Sequence, residues 1–135
     1  MSETVTPPSR SHRDLIVWQK SMDLVEQVYR LTSRFPSSEN YRLTAQLTRA
    51  AVSVPGNIAE GNARGSKRDY AHFLSIAKGS LMESETYQLL AIRLEYLTQA
   101  DVAPTLSLIV EISKMLTALR KRLLADNNTP AHQTG

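Results

Sequence analysis

Five polar residues recur between positions 49 and 64: Arg49, Ser53, Asn57, Glu60 and Arg64, at steps of four, four, three and four. Such steps put side chains on one face of a helix. Their neighbours are small, the whole run being Arg49-Ala-Ala-Val-Ser-Val-Pro-Gly-Asn-Ile-Ala-Glu-Gly-Asn-Ala-Arg64. Small residues let a second backbone approach, and Ser53 and Asn57 can bond to it. Two readings follow. The stripe is a binding groove, or it is a satisfied polar network that fixes helix register. In the second reading Glu83 or Glu85, further along the chain, pairs with Arg49 or Arg64.

Other chemistry is poorly supplied. The chain has no cysteine, which removes thiolate metal sites, thiol nucleophiles and disulfides. Of the three histidines, His12 and His132 lie in the tails and only His72 falls inside the domain. A carboxylate di-metal centre in a bundle needs two inward Glu and two acidic-x-x-His pairs. Asp69 and His72 alone have that spacing. There is no nucleophile elbow. The Gly61–Gly65 segment lacks the ending of a phosphate-cradling loop. Ser66, flanked by Arg64, Lys67 and Arg68, opens a helix whose N-terminus offers donors to an anion. The expectation is a protein that is not an enzyme, with no metal, no cofactor and no small-molecule substrate.

Charge points elsewhere. Sixteen Lys and Arg face thirteen Asp and Glu, a net charge of +3. Between positions 42 and 68 the bases are Arg42, Arg49, Arg64, Lys67 and Arg68, against Glu60 alone. A second cluster comprises Lys114, Arg120, Lys121 and Arg122. A contiguous basic surface suits RNA or DNA phosphates. Arg42, Arg49, Arg64, Lys67, Arg68, Arg120, Lys121 and Arg122 are the candidate contacts. The alternative is a scattered, solvated set of cations. Sequence alone does not say whether the two clusters share an end of the molecule.

Four helical segments must position these groups. The first is expected over Asp14–Ser33, capped by Asp14, with two apolar stripes. One is Leu15, Trp18, Met22, Val25 and Tyr29; the other is Val17, Leu24, Val28, Leu31 and Phe35. Pro36 ends it. The second starts near Ser37 or Ser38 and buries Leu43, Leu47, Ala50, Ala51, Val54 and Ile58. Pro55 kinks it, since the apolar spacing continues past the proline. The third runs from Ser66 to about Leu97, with Asp69 completing a capping-box-like start. Its apolar surface is Tyr70, Phe73, Leu74, Ala77, Leu81, Leu90, Leu94 and Leu97. A turn over Thr98–Ala103 leads to the fourth, with Pro104 in its first turn. There Leu106, Ile109, Ile112, Leu116, Leu119 and Leu123 form a stripe that Leu108, Val110 and Met115 widen.

The fold class expected is all-α: an antiparallel up-down-up-down four-helix bundle over residues 13–125. Residues 1–12 and 126–135 read as disordered tails. The N-terminal segment is polar, so no signal peptide is expected, and no stretch holds the roughly 18 uninterrupted apolar residues of a membrane span. A cytoplasmic protein without a membrane partner is the expectation. The first and fourth helices carry more apolar surface than one core demands. Such excess marks an interface, so self-association is expected; a thicker monomer core is the alternative.

Four stretches also carry a resemblance. They are Asp14-Leu-Ile-Val-Trp-Gln-Lys-Ser-Met-Asp-Leu-Val, Phe35-Pro, Leu43-Thr-Ala-Gln-Leu-Thr-Arg-Ala-Ala-Val-Ser-Val-Pro-Gly-Asn-Ile-Ala-Glu-Gly and Phe73-Leu-Ser-Ile-Ala-Lys-Gly-Ser-Leu-Met-Glu-Ser-Glu-Thr. Together they resemble the bacterial four-helix-bundle family of 23S rRNA intervening-sequence proteins, over about Asp14–Leu124. A related branch is the accessory variability proteins of diversity-generating retroelements. The resemblance implies a homopentamer of four-helix bundles with no known enzymatic activity. The retroelement branch implies nucleic acid and a reverse transcriptase as partners. Asn62 and Ser84 depart from the aromatic and apolar residues expected there, and this chain is less basic than the retroelement branch. A protein–protein adaptor or scaffold with no nucleic-acid role is the alternative function.

Overall fold

The computed structural model describes residues 11–127. Among them four α-helices form: α1 (Ile16–Thr32), α2 (Leu43–Asn62), α3 (Lys67–Arg93) and α4 (Gln99–Asn127). Short 3-10 turns precede α1 at His12–Asp14 and α2 at Ser37–Glu39. The expected disordered tails fall mostly outside the described residues, although His12 already lies in a turn and α4 reaches Asn127.

Helix starts differ from the sequence reading where a side chain outbids the expected cap. Ser11, not Asp14, is the cap: its Oγ accepts from the Arg13 amide at 3.1 Å and starts the His12–Asp14 turn. Asp14 is thereby held in the 3-10 turn, and α1 begins after an extended Leu15. Residues Ser37–Glu39 make only a 3-10 turn, because Arg42 leaves the helical region and restarts the chain. Glu39 Oε1 then accepts from the Leu43 amide at 3.1 Å, a carboxylate at the N-terminus of α2. Ser66 caps α3 as its sequence predicts, accepting from the Asp69 amide at 3.1 Å. α4 starts earlier than expected. Thr98 and Asp101 form a reciprocal pair: the Asp101 amide donates to Thr98 Oγ1 at 3.1 Å, and the Thr98 amide to Asp101 Oδ2 at 2.8 Å.

α3 ends at Arg93, short of the expected Leu97. Glu95 adopts φ 66°, and the Tyr96 amide reaches back to the Ala91 carbonyl at 2.9 Å. The Glu95 amide bonds the Ile92 carbonyl at 2.9 Å. These two bonds define a Schellman ending, which usually has glycine at the left-handed position. α2 runs unbroken through Pro55, which is buried.

Each helix packs on its neighbours in the chain, and α1 closes on α4 to complete a square, while the diagonal pairs barely meet. Pairings along the seams fix the direction of each neighbour. Between α2 and α3 Gln46 meets Tyr87 and Ser53 meets Ser80. Between α3 and α4 Lys67 meets Asp126, Lys78 meets Thr117, and Gln88 meets Thr105. Between α1 and α4 Lys20 meets Glu111 and Arg34 meets Asp101. In each of these three seams one residue number rises as the other falls.

The core holds the second α1 stripe (Val17, Leu24, Val28, Leu31 and Phe35) and the α2 face from Leu43 to Ile58. It also holds Leu74, Ala77 and Leu81 of α3 and Ile109, Ile112 and Leu116 of α4. Leu90 and Leu94 are a correction: both are exposed, because the core phase that runs through Leu74, Ala77 and Leu81 continues through Ser84, Gln88 and Ala91. Gln88 is satisfied in the interior by Thr105 Oγ1 and, at 3.3 Å, by Ser84 Oγ. α4 also sharpens the membrane reading. It is long and apolar enough to cross a bilayer by length and composition. Yet it buries Thr105 and pairs Glu111 with Lys20 at 2.9 Å, features of a helix packed in a bundle.

Candidate functional site

The antiparallel seam of α3 and α4 decides where the cations gather. α3 starts where α4 ends, so Lys67 Nζ lies 3.3 Å from Asp126 Oδ2. The turn between α2 and α3, with Arg64, Lys67 and Arg68, therefore shares an end of the bundle with Arg120, Lys121 and Arg122. The N-terminus of α1 arrives there too: Leu15, Ile16 and Arg122 line one hollow between α1 and α4.

Arg64 is anchored. Its guanidinium stacks 4.6 Å from the Phe73 ring centroid and donates to Glu60 Oε2 at 2.9 Å. Phe73 is within reach because Gly61 lets α3 close onto α2. A Cβ at Gly61 would stand 2.8 Å from Phe73 Cβ and 2.9 Å from Tyr70 Cδ1. Lys67 is engaged by Asp126. Arg68, Arg120, Lys121 and Arg122 are exposed and form no ion pair among the described residues. Free cations gathered at one end suit a polyanion better than cations already paired.

An open hollow of about 520 Å³ runs between α3 and α4 on this end. Leu74, Leu116 and Leu124 form its floor; Lys78, Arg120 and Lys121 rim it, beside Ser75 and Thr117. Lys78 Nζ donates to Thr117 Oγ1 at 2.8 Å. Sequence reasoning missed Lys78. It stands alone among apolar and small residues, and its neighbourhood with Arg120 exists only across the α3–α4 seam.

The remaining candidates lie elsewhere. Arg42 sits at the start of α2, at the other end of the bundle. Near it Tyr96 Oη donates to Glu39 Oε2 at 2.8 Å. That bond, then the Leu43 amide, holds the Glu39 carboxyl below its usual range, and the same bond pushes the Tyr96 hydroxyl up. Asp101 is also held low, first by the Thr98 amide and then by Arg34 at 2.6 Å. Arg49 is exposed on the flank of α2, with no ion pair among the described residues.

Of the polar stripe, the structure brings Ser53 and Asn57 together. Asn57 Nδ2 donates to the Ser53 carbonyl at 2.8 Å and to Ser53 Oγ at 2.9 Å. Ser53 Oγ meets Ser80 Oγ of α3 at 2.8 Å. Glu60 serves Arg64. Glu83 is exposed, Glu85 is half-buried, and neither pairs with Arg49 or Arg64. Among the described residues no three His, Asp or Glu side chains cluster as metal ligands.

A family model described as "23S rRNA-intervening sequence protein" matches residues 13–118. The chain belongs to that family. The intervening-sequence match spans α1, α2, α3 and most of α4. It includes Arg64, Lys67, Arg68 and Lys78 and stops before Arg120, Lys121 and Arg122. Among solved structures, the chain is similar to a protein of unknown function from the S23 ribosomal protein family of Bacteroides thetaiotaomicron. The two share 26% identity and a TM-score of 0.73, over 78% of this chain and 99% of that one. No curated protein matches. The intervening-sequence family and this structural relative thus carry no enzymatic description.

Proposed function

We infer that this protein is a non-enzymatic, cytoplasmic, self-associating helical bundle that binds RNA or DNA phosphates through its basic end. The pentameric form is the one the family resemblance implies. The observation that carries the reading is the meeting of two sequence-distant basic clusters at the Lys67–Asp126 seam. Arg68, Arg120, Lys121 and Arg122 supply unpaired charge there, and Lys78 extends it along the α3–α4 hollow. Binding of this kind releases counterions and weakens steeply with salt. Titration of ribosomal RNA fragments across a salt series tests it. Binding that tightens as salt is lowered supports the reading; no binding at low salt, or binding indifferent to salt, overturns it.

A second reading, a protein–protein scaffold without a nucleic-acid role, draws on the apolar surface of α1 and α3. It predicts partners that stay bound after nuclease treatment.

A further inference from the structure

The hollow between α3 and α4 at the basic end joins two chemistries. Its floor is leucine, and its rim is cationic. Phosphates alone would need only the rim, since a floor of Leu74, Leu116 and Leu124 offers them no donor. About 520 Å³ of space over that floor suits a group with an apolar face and a polar edge. Sites for small organic groups fall in the range of roughly 300–1,000 Å³.

Charge around the hollow has one sign. On the α3 wall, half-buried Lys78 donates from Nζ to Thr117 Oγ1 at 2.8 Å. That partner is neutral, so the ammonium is positioned while its charge stays uncompensated, with two further donors to give. On the α4 wall Arg120 and Lys121 form no ion pair among the described residues. Nor do Arg68, two turns before Ser75, and Lys114, two turns before Lys121. The nearby acids are engaged or turned aside. Asp126 meets Lys67 at 3.3 Å, and Glu111 meets Lys20 of α1 at 2.9 Å. Asp69 and Glu83 lie on the flank of α3 away from Lys78. Glu85 stands two turns beyond Lys78, about 10 Å along the axis and outside the lining of the hollow.

We propose that the hollow receives an unpaired nucleobase, so that this end binds single-stranded or bulged nucleic acid in preference to a continuous duplex. This rests on the phosphate-binding reading and names the class of nucleic acid that the same site takes. The ring face of the base covers the leucine floor. The hydroxyls of Ser75 and Thr117 and the Lys78 ammonium meet its polar edge. A strand carries a phosphate on either side of each base, which matches cations on both walls, whereas an acyl chain brings a single anion. In a duplex the base is stacked and its edge is paired, so it enters only after extrusion, at a cost that a free strand or a bulge does not meet.

Three RNA hairpins test this. One has a perfect stem, one a single bulged adenosine, and one an abasic nucleotide at the bulge; the last two carry the same phosphates. Affinities are read by fluorescence anisotropy at one salt concentration and then across a salt series. The bulged adenosine should bind about tenfold more tightly than either the abasic bulge or the perfect stem. Ser75→Trp and Thr117→Trp, at exposed positions on opposite walls, each fill the hollow and should erase the difference between adenosine and abasic bulges. Circular dichroism and thermal melting establish that each variant is folded. Equal affinity for the adenosine and abasic bulges in the unmutated protein, with a steep salt dependence, leaves the phosphate reading standing and overturns the base proposal. A preference for the bulged base that persists in both folded variants places the base elsewhere and also overturns it. No binding of any hairpin at low salt removes the phosphate reading itself, and the base proposal with it.

Discussion

Lys67 at the first position of α3 and Asp126 near the end of α4 approach to 3.3 Å, across 59 residues of sequence. The contact itself is exposed, and such a pair is worth little stability. Its meaning is topological. It records that the start of α3 and the end of α4 share one end of the bundle, which joins two basic clusters that look unrelated along the chain.

The α2–α3 hairpin depends on Gly61. Alanine is the better helix former by roughly 1 kcal/mol. At Gly61 that gain is outweighed, because the new Cβ would press on Phe73 Cβ at 2.8 Å and the Tyr70 ring at 2.9 Å. Gly61→Ala should destabilise by about 1–3 kcal/mol. Gly56→Ala, on the same helix with nothing within 4 Å, should be neutral or stabilising by up to about 1 kcal/mol. Urea midpoints of the two variants compare them directly, and equal shifts would contradict the close approach.

Glu95 occupies the left-handed position of the α3 ending at φ 66°. A side chain there costs roughly 1–2 kcal/mol that glycine does not incur. Glu95→Gly should raise stability by about 0.5–1 kcal/mol, since glycine's extra freedom in the unfolded chain returns part of that difference. A lower thermal midpoint for Glu95→Gly would refute this account of the α3 ending.

Gln88 and Thr105 form a buried polar joint between α3 and α4. Thr105→Val strands the Gln88 amide oxygen in the interior and should cost about 1–3 kcal/mol. Gln88→Leu/Thr105→Val removes both polar partners and should recover part of that loss. If the double variant loses the sum of the two single costs, the residues are not coupled.

Two carboxyls stabilise the end of the bundle opposite the basic cluster. Glu39 and Asp101 are both held below their ordinary values of 4.5 and 3.8. A depressed folded-state pKa gives stability that is present above the unfolded value and lost as pH falls through the folded one. Stability should therefore decline on acidification below about pH 4.5, the ordinary value of a glutamate carboxyl such as Glu39. Tyr96→Phe removes the leading donor to Glu39 and should flatten that decline. Denaturation followed at a series of pH values reads it; an unchanged acid limb in Tyr96→Phe would show that the Tyr96–Glu39 bond has no part in it.

Much of this was legible in the sequence because helical periodicity is a local signal. The α2 face from Leu43 to Ile58 and the Ser66 cap needed only spacing and residue type. The misreadings share a cause. Leu90 and Leu94 look like core because leucine usually is, but the phase set by Leu74, Ala77 and Leu81 assigns that side to Ser84, Gln88 and Ala91. Glu95 gives no hint of a helix ending, since its sign is glycine. Thr98-Gln-Ala-Asp101 carries a capping signal, and Pro104 carries a competing one for a later start. The basic end was half legible: Arg64, Lys67 and Arg68 cluster in sequence, but Lys78 and Arg120 meet only once two helices pack.

The central claim is that phosphates bind at the end where Arg68, Arg120, Lys121 and Arg122 gather. The most direct test is the salt dependence of RNA affinity for Arg68→Ala/Lys121→Ala beside Arg42→Ala/Arg49→Ala. Each phosphate contact contributes about 0.7 to 0.9 to the slope of log affinity against log salt. The first pair should bind more weakly and lose roughly 1.5 from that slope, and the second should match the unmutated protein. An unchanged slope in the first pair, or an equal loss in the second, would contradict the account.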